Sequence, residues 1–222
     1  IMVIGAGPAG MEAAITARRR GHAVTVFDKA DKIGGNLAAY AANDLARPAD
    51  LQGVIDYYGV MAKKLGIEVK LNTEANAKFM RSILHQFDVC IIAAGARTDL
   101  GYYRHVPGHE RMVDALDVAR GTAKPGKRVV MVGAGKIGLT LAESLAKQGH
   151  QVTLVEEAKS IASDVMPSFK WRHSAWVEEL DIKTLTSTTL VGMDDEGALV
   201  RNNKGEETRI PADTVVVSGP RK

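Results

Sequence analysis

Ile1-Met-Val-Ile-Gly-Ala-Gly-Pro-Ala-Gly10 returns further along the chain as Val129-Val-Met-Val-Gly-Ala-Gly-Lys-Ile-Gly138, so that Gly5 is matched by Gly133 at an offset of 128. The register persists outward. Gly21-His22 recurs as Gly149-His150, Val24-Thr25 as Val152-Thr153, Asp28 as Glu156, and Ile33 as Ile161. Two in-step copies of a unit of roughly 35 residues imply two related domains. The stretch 121–126, with Gly121, Pro125 and Gly126, has the composition of a junction, which sets the expected domains at 1–121 and 122–222.

Within each copy the order is apolar run, glycine loop, helix, apolar run. Val3-Ile4 and 129–132 read as buried strands, followed by helices over about 8–20 and 136–148. Pro8 suits a first helical turn, and Gly21 and Gly149 suit left-handed caps. Strands at 23–27 and 151–155 complete two βαβ units. Leu51, Val54, Ile55, Tyr58, Met61 and Leu65 fall at helical spacing, ahead of a strand at 67–71 and a buried strand at 87–93. The second half continues with a helix near 168–180 and strands near 182–191, 197–201, 206–210 and 214–217, with Asn202-Asn203-Lys204-Gly205 as a hairpin turn. The expected fold class is therefore α/β: two Rossmann-like dinucleotide-binding domains, each a parallel sheet with helices, plus a β-meander.

A lone GxGxxG is a weak signal. Here each copy extends to GxGxxGxxxA, as Gly5, Gly7, Gly10, Ala14 and Gly133, Gly135, Gly138, Ala142, and each meets an acid, Asp28 or Glu156, 18 residues past the third glycine. The first glycine allows the tight turn, and the second lets a pyrophosphate approach the N–H groups at the helix start. The third glycine and the alanine let helix and sheet pack closely, and the acid can accept hydrogen bonds from adenosine ribose hydroxyls. Gly34-Gly35 follows the second strand of the first copy, where the second copy has Ala162-Ser163. A glycine pair lets a further loop approach a long ligand, so the first site reads as FAD-like and the second as NAD-like.

The 222 residues are 45% hydrophobic and 25% charged, as in an ordinary globular protein, which excludes a disordered or collagen-like chain. The net charge of +3 is scattered apart from Arg18-Arg19-Arg20, so no basic stripe suited to nucleic acid is expected. No apolar run reaches membrane-span length and no cationic leader is read, so no membrane partner is expected either. Cys90 stands alone, which leaves these residues without a disulfide, a CxxC pair, a structural zinc site or the dithiol relay of disulfide reductases, and a reducing, cytoplasmic setting fits. His105 and His109 offer no metal set. Tyr57 and Tyr58 are assigned no role, and His173 with Trp171 and Trp176 reads as a helix face with a partly buried indole.

At the glycine loops, and through Val24-Thr-Val-Phe-Asp-Lys with Ile33-Gly-Gly-Asn-Leu, Leu65-Gly-Ile-Glu-Val-Lys-Leu-Asn-Thr-Glu74, Asp88-Val-Cys-Ile-Ile-Ala-Ala-Gly-Ala96 and Pro211-Ala-Asp-Thr-Val-Val-Val-Ser-Gly219, the chain resembles a known family. This is the FAD/NAD(P)-binding half of the old-yellow-enzyme-related flavoproteins: 2,4-dienoyl-CoA reductase, enoate reductase and trimethylamine dehydrogenase. In that family an FMN-binding (β/α)8 barrel followed by an iron-sulfur cluster performs the substrate chemistry, so the resemblance implies such a partner domain in a longer parent chain. It also implies a closing Gly-Asp segment beyond Lys222, and hence weak FAD retention by these residues alone. Where the family has Ala-Thr-Gly, this chain has Ala93-Ala94-Gly95, without the threonine hydroxyl.

By that resemblance Gly5, Gly7, Pro8 and Gly10 would contact the FAD pyrophosphate, Asp28 the adenosine ribose with Lys29 beside it, and Gly35, Asn36, Leu37, Ala75, Ala94 and Gly95 the same ligand. Gly133, Gly135, Lys136, Ile137, Gly138, Glu156, Glu157 and Gly219 would serve the second site. Glu156 and Glu157, with no arginine nearby in sequence, oppose a 2′-phosphate and point to NADH over NADPH. The expected function is the electron-input module of an FAD-dependent NAD(P)H oxidoreductase, passing hydride from NADH to FAD, with no catalytic side chain and no metal of its own. The alternative is a structural module holding ADP in the first site, as trimethylamine dehydrogenase does.

Overall fold

The computed structural model describes residues 1–42 and 48–221, which form two compact units, Ile1–Ala96 and Arg97–Lys222. The first unit runs β1 (Met2–Ile4), α1 (Pro8–Arg19), β2 (Thr25–Phe27), α2 (Asn36–Ala42), α3 (Pro48–Leu65), β3 (Glu68–Lys70), α4 (Ala77–Ile83) and β4 (Cys90–Ile92). Its strands form one parallel sheet in the order β3-β2-β1-β4. Residues Met11, Ala14 and Ile15 of α1 share a face at the three- and four-residue spacing of a helix, and they bury it on Val3 and Val26 of the sheet and on Tyr58 and Ala62 of α3. Arg18 and Arg19 stand in the last turn of α1, where cations favour the helix dipole.

The second unit contains β5 (Val113–Asp114), α5 (Ala115–Arg120), β6 (Arg128–Val132), α6 (Lys136–Lys147), β7 (Gln151–Val155), α7 (Pro167–Glu179), β8 (Lys183–Leu185), β9 (Thr188–Asp194), β10 (Gly197–Asn202), β11 (Glu207–Pro211) and β12 (Thr214–Val217). A five-stranded parallel sheet has the order β5-β12-β6-β7-β8, and β9, β10 and β11 form an antiparallel meander. The meander's inner residues Leu190, Ala198 and Val200 share one buried cluster with Val130, Val132, Val155, Val215 and Val217 of the sheet. The architecture is α/β, a pair of Rossmann-like units of which the second carries a meander.

Three readings of the sequence change. The units divide between Ala96 and Arg97, not at 121/122, because β5 pairs with β12 at Val113↔Val216 and ties the preceding segment to the second sheet. The single strand read at 182–191 is two strands in two sheets. Ser187, at φ +50°, takes the chain out of the parallel sheet and into the meander. Among the described residues the strand around Cys90 lies at the sheet edge, paired with β1 alone, so Ile92 is 77% exposed where a buried strand was expected.

Candidate dinucleotide-binding sites

In the first sheet, β2 and β3 lie on one side of β1 and β4 on the other, which places the topological switch point between the carboxyl ends of β1 and β4. Gly5, at φ +108°, leaves β1 there, and a Cβ on it would run into the carbonyl of Ala93 after β4. A Cβ on Gly10 would run into the carbonyl of Gly5. Both glycines are therefore required by protein packing. Gly7 differs: it caps α1 at φ −76°, and among the described residues its Cβ would meet only the Gly35 Cα, at 3.8 Å. Of the three glycines of the motif, Gly7 is the one whose missing side chain the described protein atoms do not fill.

Asp28 leaves β2 beside this loop. Its carboxylate accepts hydrogen bonds from the Ala6 N–H at 2.5 Å and the Ala30 N–H at 2.8 Å, which holds the glycine loop against the second strand. Lys29 is exposed next to it. Gly34, at φ +114°, donates to the Ala6 carbonyl at 2.8 Å, and Gly35, at φ +54°, faces Gly7. Asn36 begins α2 and donates through Nδ2 to the Ala96 carbonyl at 3.0 Å, while the Leu37 N–H donates to the Gly34 carbonyl. Ala75 lies half-buried between β3 and α4; Ala94 and Gly95 are exposed after β4, at the same end of the sheet as Gly5.

The second unit repeats this construction. Its switch point lies between β6 and β12. Gly133, at φ +95°, leaves β6, and Gly138 would press a Cβ into the Gly133 carbonyl. Gly135 caps α6, whose first turn holds exposed Lys136 and half-buried Ile137. Glu156 accepts from the Ala134 N–H at 2.6 Å and the Ala158 N–H at 2.9 Å, in the register of Asp28, and Glu157 beside it is exposed. One carboxylate thus braces each glycine loop, and each of its oxygens keeps acceptor capacity for a hydroxyl.

Three residues at this second site were not singled out from sequence. Ser218 Oγ donates to the carbonyls of Val132 and Gly133 and would lie 2.6 Å from a Cβ on Gly133, so it seals the back of the loop. Tyr103 donates its hydroxyl to the Gly219 carbonyl at 2.6 Å. Burial first, then the nearby charges of Glu157 and Glu156, hold that phenol above its ordinary range, so it remains a donor. Asp164 Oδ1 accepts from the Lys136 N–H at 2.7 Å. Only Asp164 had a sequence signal, since it stands in the 128-residue register of Asn36.

No group of His, Cys, Asp or Glu suited to a metal occurs among the described residues. Cys90 is a free, half-buried thiol on β4, and no helix among the described residues is long and apolar enough to cross a membrane.

A doubled strand, glycine loop and helix, each loop braced by an acid, defines a pair of dinucleotide-binding folds. The family model for pyridine nucleotide-disulphide oxidoreductases matches residues 1–219, and the chain belongs to that family. It is 30% identical over 251 residues to a metal reductase of Desulforamulus reducens, covering 98% of this chain and 37% of that protein. It is also 30% identical over 223 residues to a cinnamate reductase of Clostridium sporogenes, covering 98% and 32%. A solved 2-naphthoyl-CoA reductase superposes with a TM-score of 0.90 at 33% identity over the whole chain, which spans 33% of that protein. The chain thus corresponds to the FAD/NAD(P)-binding region of old-yellow-enzyme-type flavin reductases and spans about a third of their length.

Proposed function

We propose that this chain is the electron-input module of a flavoprotein reductase, with FAD held by the first unit and NADH by the second. The observation that carries this reading is the open second glycine in the first loop. Gly5 and Gly10 are filled by the protein's own backbone, whereas Gly7 leaves room beside the start of α1, a 12-residue helix whose positive end favours a phosphate. Bound FAD would supply the redox chemistry, taking hydride from NADH and passing electrons to an FMN/iron-sulfur (β/α)8 barrel elsewhere in a longer parent chain. The residues of this chain bind and orient. In the first unit Gly5, Gly7, Pro8 and Gly10 form the pyrophosphate cradle, Asp28 with Lys29 meets the ribose, and Gly35, Asn36, Leu37, Ala75, Ala94 and Gly95 line the same end of the sheet.

In the second unit Gly133, Gly135, Lys136, Ile137 and Gly138 form the cradle and Gly219 flanks it across the switch point. Glu156 and Glu157 meet the ribose and disfavour a 2′-phosphate. The relatives' names support a reductase. The test is identification of the nucleotide that the full-length protein retains through purification, by acid release and chromatography. FAD in the first site supports the module; ADP there, with no flavin, would replace it with a structural nucleotide-binding role.

A further inference from the structure

The two units dock the loop after their second strand in the same way. Gly34 donates to the Ala6 carbonyl and Ala162 to the Ala134 carbonyl, both at 2.8 Å, and both residues have positive φ. Two positions further on, the units part. In the first, Asn36 turns its amide to the Ala96 carbonyl, and the nearest group to a Cβ on Gly7 is the Gly35 Cα. In the second, Asp164 places its carboxylate over the glycine loop: Oδ1 accepts from the Lys136 N–H at 2.7 Å, and Oδ2 and Oδ1 would lie 2.9 and 3.1 Å from a Cβ on Gly135.

We infer that Asp164 is a built-in competitor for the pyrophosphate of a dinucleotide at the second glycine loop. This rests on reading the second unit as a dinucleotide site. The Lys136 N–H is the first donor of α6 and sits at the positive end of a 12-residue helix, a donor suited to a phosphate oxygen. A carboxylate oxygen and a phosphate oxygen cannot both take that bond in one geometry, and their like charges repel. Asp164 is exposed and can swing into solvent, so nucleotide entry exchanges one anion for another. The first unit cannot make the matching contact, because Pro8 offers no N–H at the equivalent position. The asymmetry suits a resident group in the first unit and, in the second, a co-substrate that must leave after each turnover.

Calorimetric titration of the 222-residue chain with NADH, and with adenosine as a ligand lacking phosphate, tests this in the wild type, Asp164→Ala and Asp164→Asn. Loss of a charge-assisted competitor should tighten NADH binding about tenfold in Asp164→Ala, and by less in Asp164→Asn, whose amide oxygen still accepts. Adenosine affinity should stay the same, and circular dichroism melts should show folded variants with a slightly lower midpoint from the lost cap. Equal NADH affinity in all three proteins would overturn the competitor role while leaving the site intact. Weaker binding in Asp164→Ala would overturn it by making the carboxylate a ligand contact. Absence of NADH binding in every protein, Asp164→Ala included, would remove the dinucleotide reading and the inference together.

Discussion

Asp28 and Glu156 occupy the same place in their two units, each bridging a glycine loop to the end of its second strand through two backbone N–H groups, at 2.5 and 2.8 Å for Asp28 and at 2.6 and 2.9 Å for Glu156. Each acid is thus a brace for its glycine loop, in addition to the ribose contact proposed for it. The two roles separate experimentally.

Glu156→Ala should cost about 1 to 3 kcal/mol of stability, because two charge-assisted backbone hydrogen bonds are lost at a part-buried position. In the same variant the expected preference of the full-length protein for NADH over NADPH, about tenfold to a hundredfold, should narrow. Steady-state kcat/KM with both cofactors and a denaturant titration read the two effects. A preference for NADPH in the wild type would contradict the assignment of Glu156, and an unchanged ratio in the variant would contradict its mechanism.

The three glycines of the first loop should respond differently to the same substitution. Gly7→Ala adds a methyl that meets only the Gly35 Cα at ordinary contact distance, so the fold should persist, with the midpoint within about 3 °C of wild type, while FAD and ADP affinity falls more than about tenfold. Gly10→Ala drives a methyl into the Gly5 carbonyl and should cost on the order of 3 kcal/mol before any ligand is added. Equal affinity in Gly7→Ala, measured calorimetrically, would remove the pyrophosphate from that position.

Glu143 of α6 and His173 of α7 form a buried pair at 2.7 Å. Burial raises the glutamate above its ordinary range, against the opposing pull of His173 and Lys147. The folded state therefore binds the Glu143 proton more tightly than the unfolded chain, and this group's contribution to stability falls as pH rises from the ordinary glutamate value through the raised one. Glu143→Gln removes that titration. The difference in melting temperature, variant minus wild type, should grow in the variant's favour as pH rises above the ordinary glutamate range. A difference that stays constant with pH would show that burial of the charge is not what the pair pays for.

Tyr103→Phe deletes one hydrogen bond, that to the Gly219 carbonyl, from an otherwise buried side chain. A loss of about 1 kcal/mol is expected, with a modest fall in NADH affinity as the segment after β12 loosens. Stability and affinity both unchanged would mean that the Gly219 carbonyl is satisfied elsewhere.

Much of this was legible in the sequence, because glycine positions and apolar runs are local signals. The offset of 128 located both loops, both helices and both bracing acids, and the Asn202 to Gly205 turn marked the meander. What escaped was long-range. β5 is two residues long and acquires meaning only by pairing with β12, and Thr184 to Leu190 is a threonine-rich run of strand-forming residues with no glycine or proline to mark the break where Ser187 turns left-handed. Ser218 and Tyr103 act on residues 85 and 116 positions away, and no spacing rule reaches that far.

Reduction of a flavin bound by this chain, by NADH bound on the same chain, is read most directly by anaerobic stopped-flow mixing of the FAD-loaded full-length protein with NADH, following the flavin's visible absorbance. The expected result is rapid bleaching by NADH and slower bleaching by NADPH. A flavin that stays oxidised in the presence of saturating NADH would contradict the account.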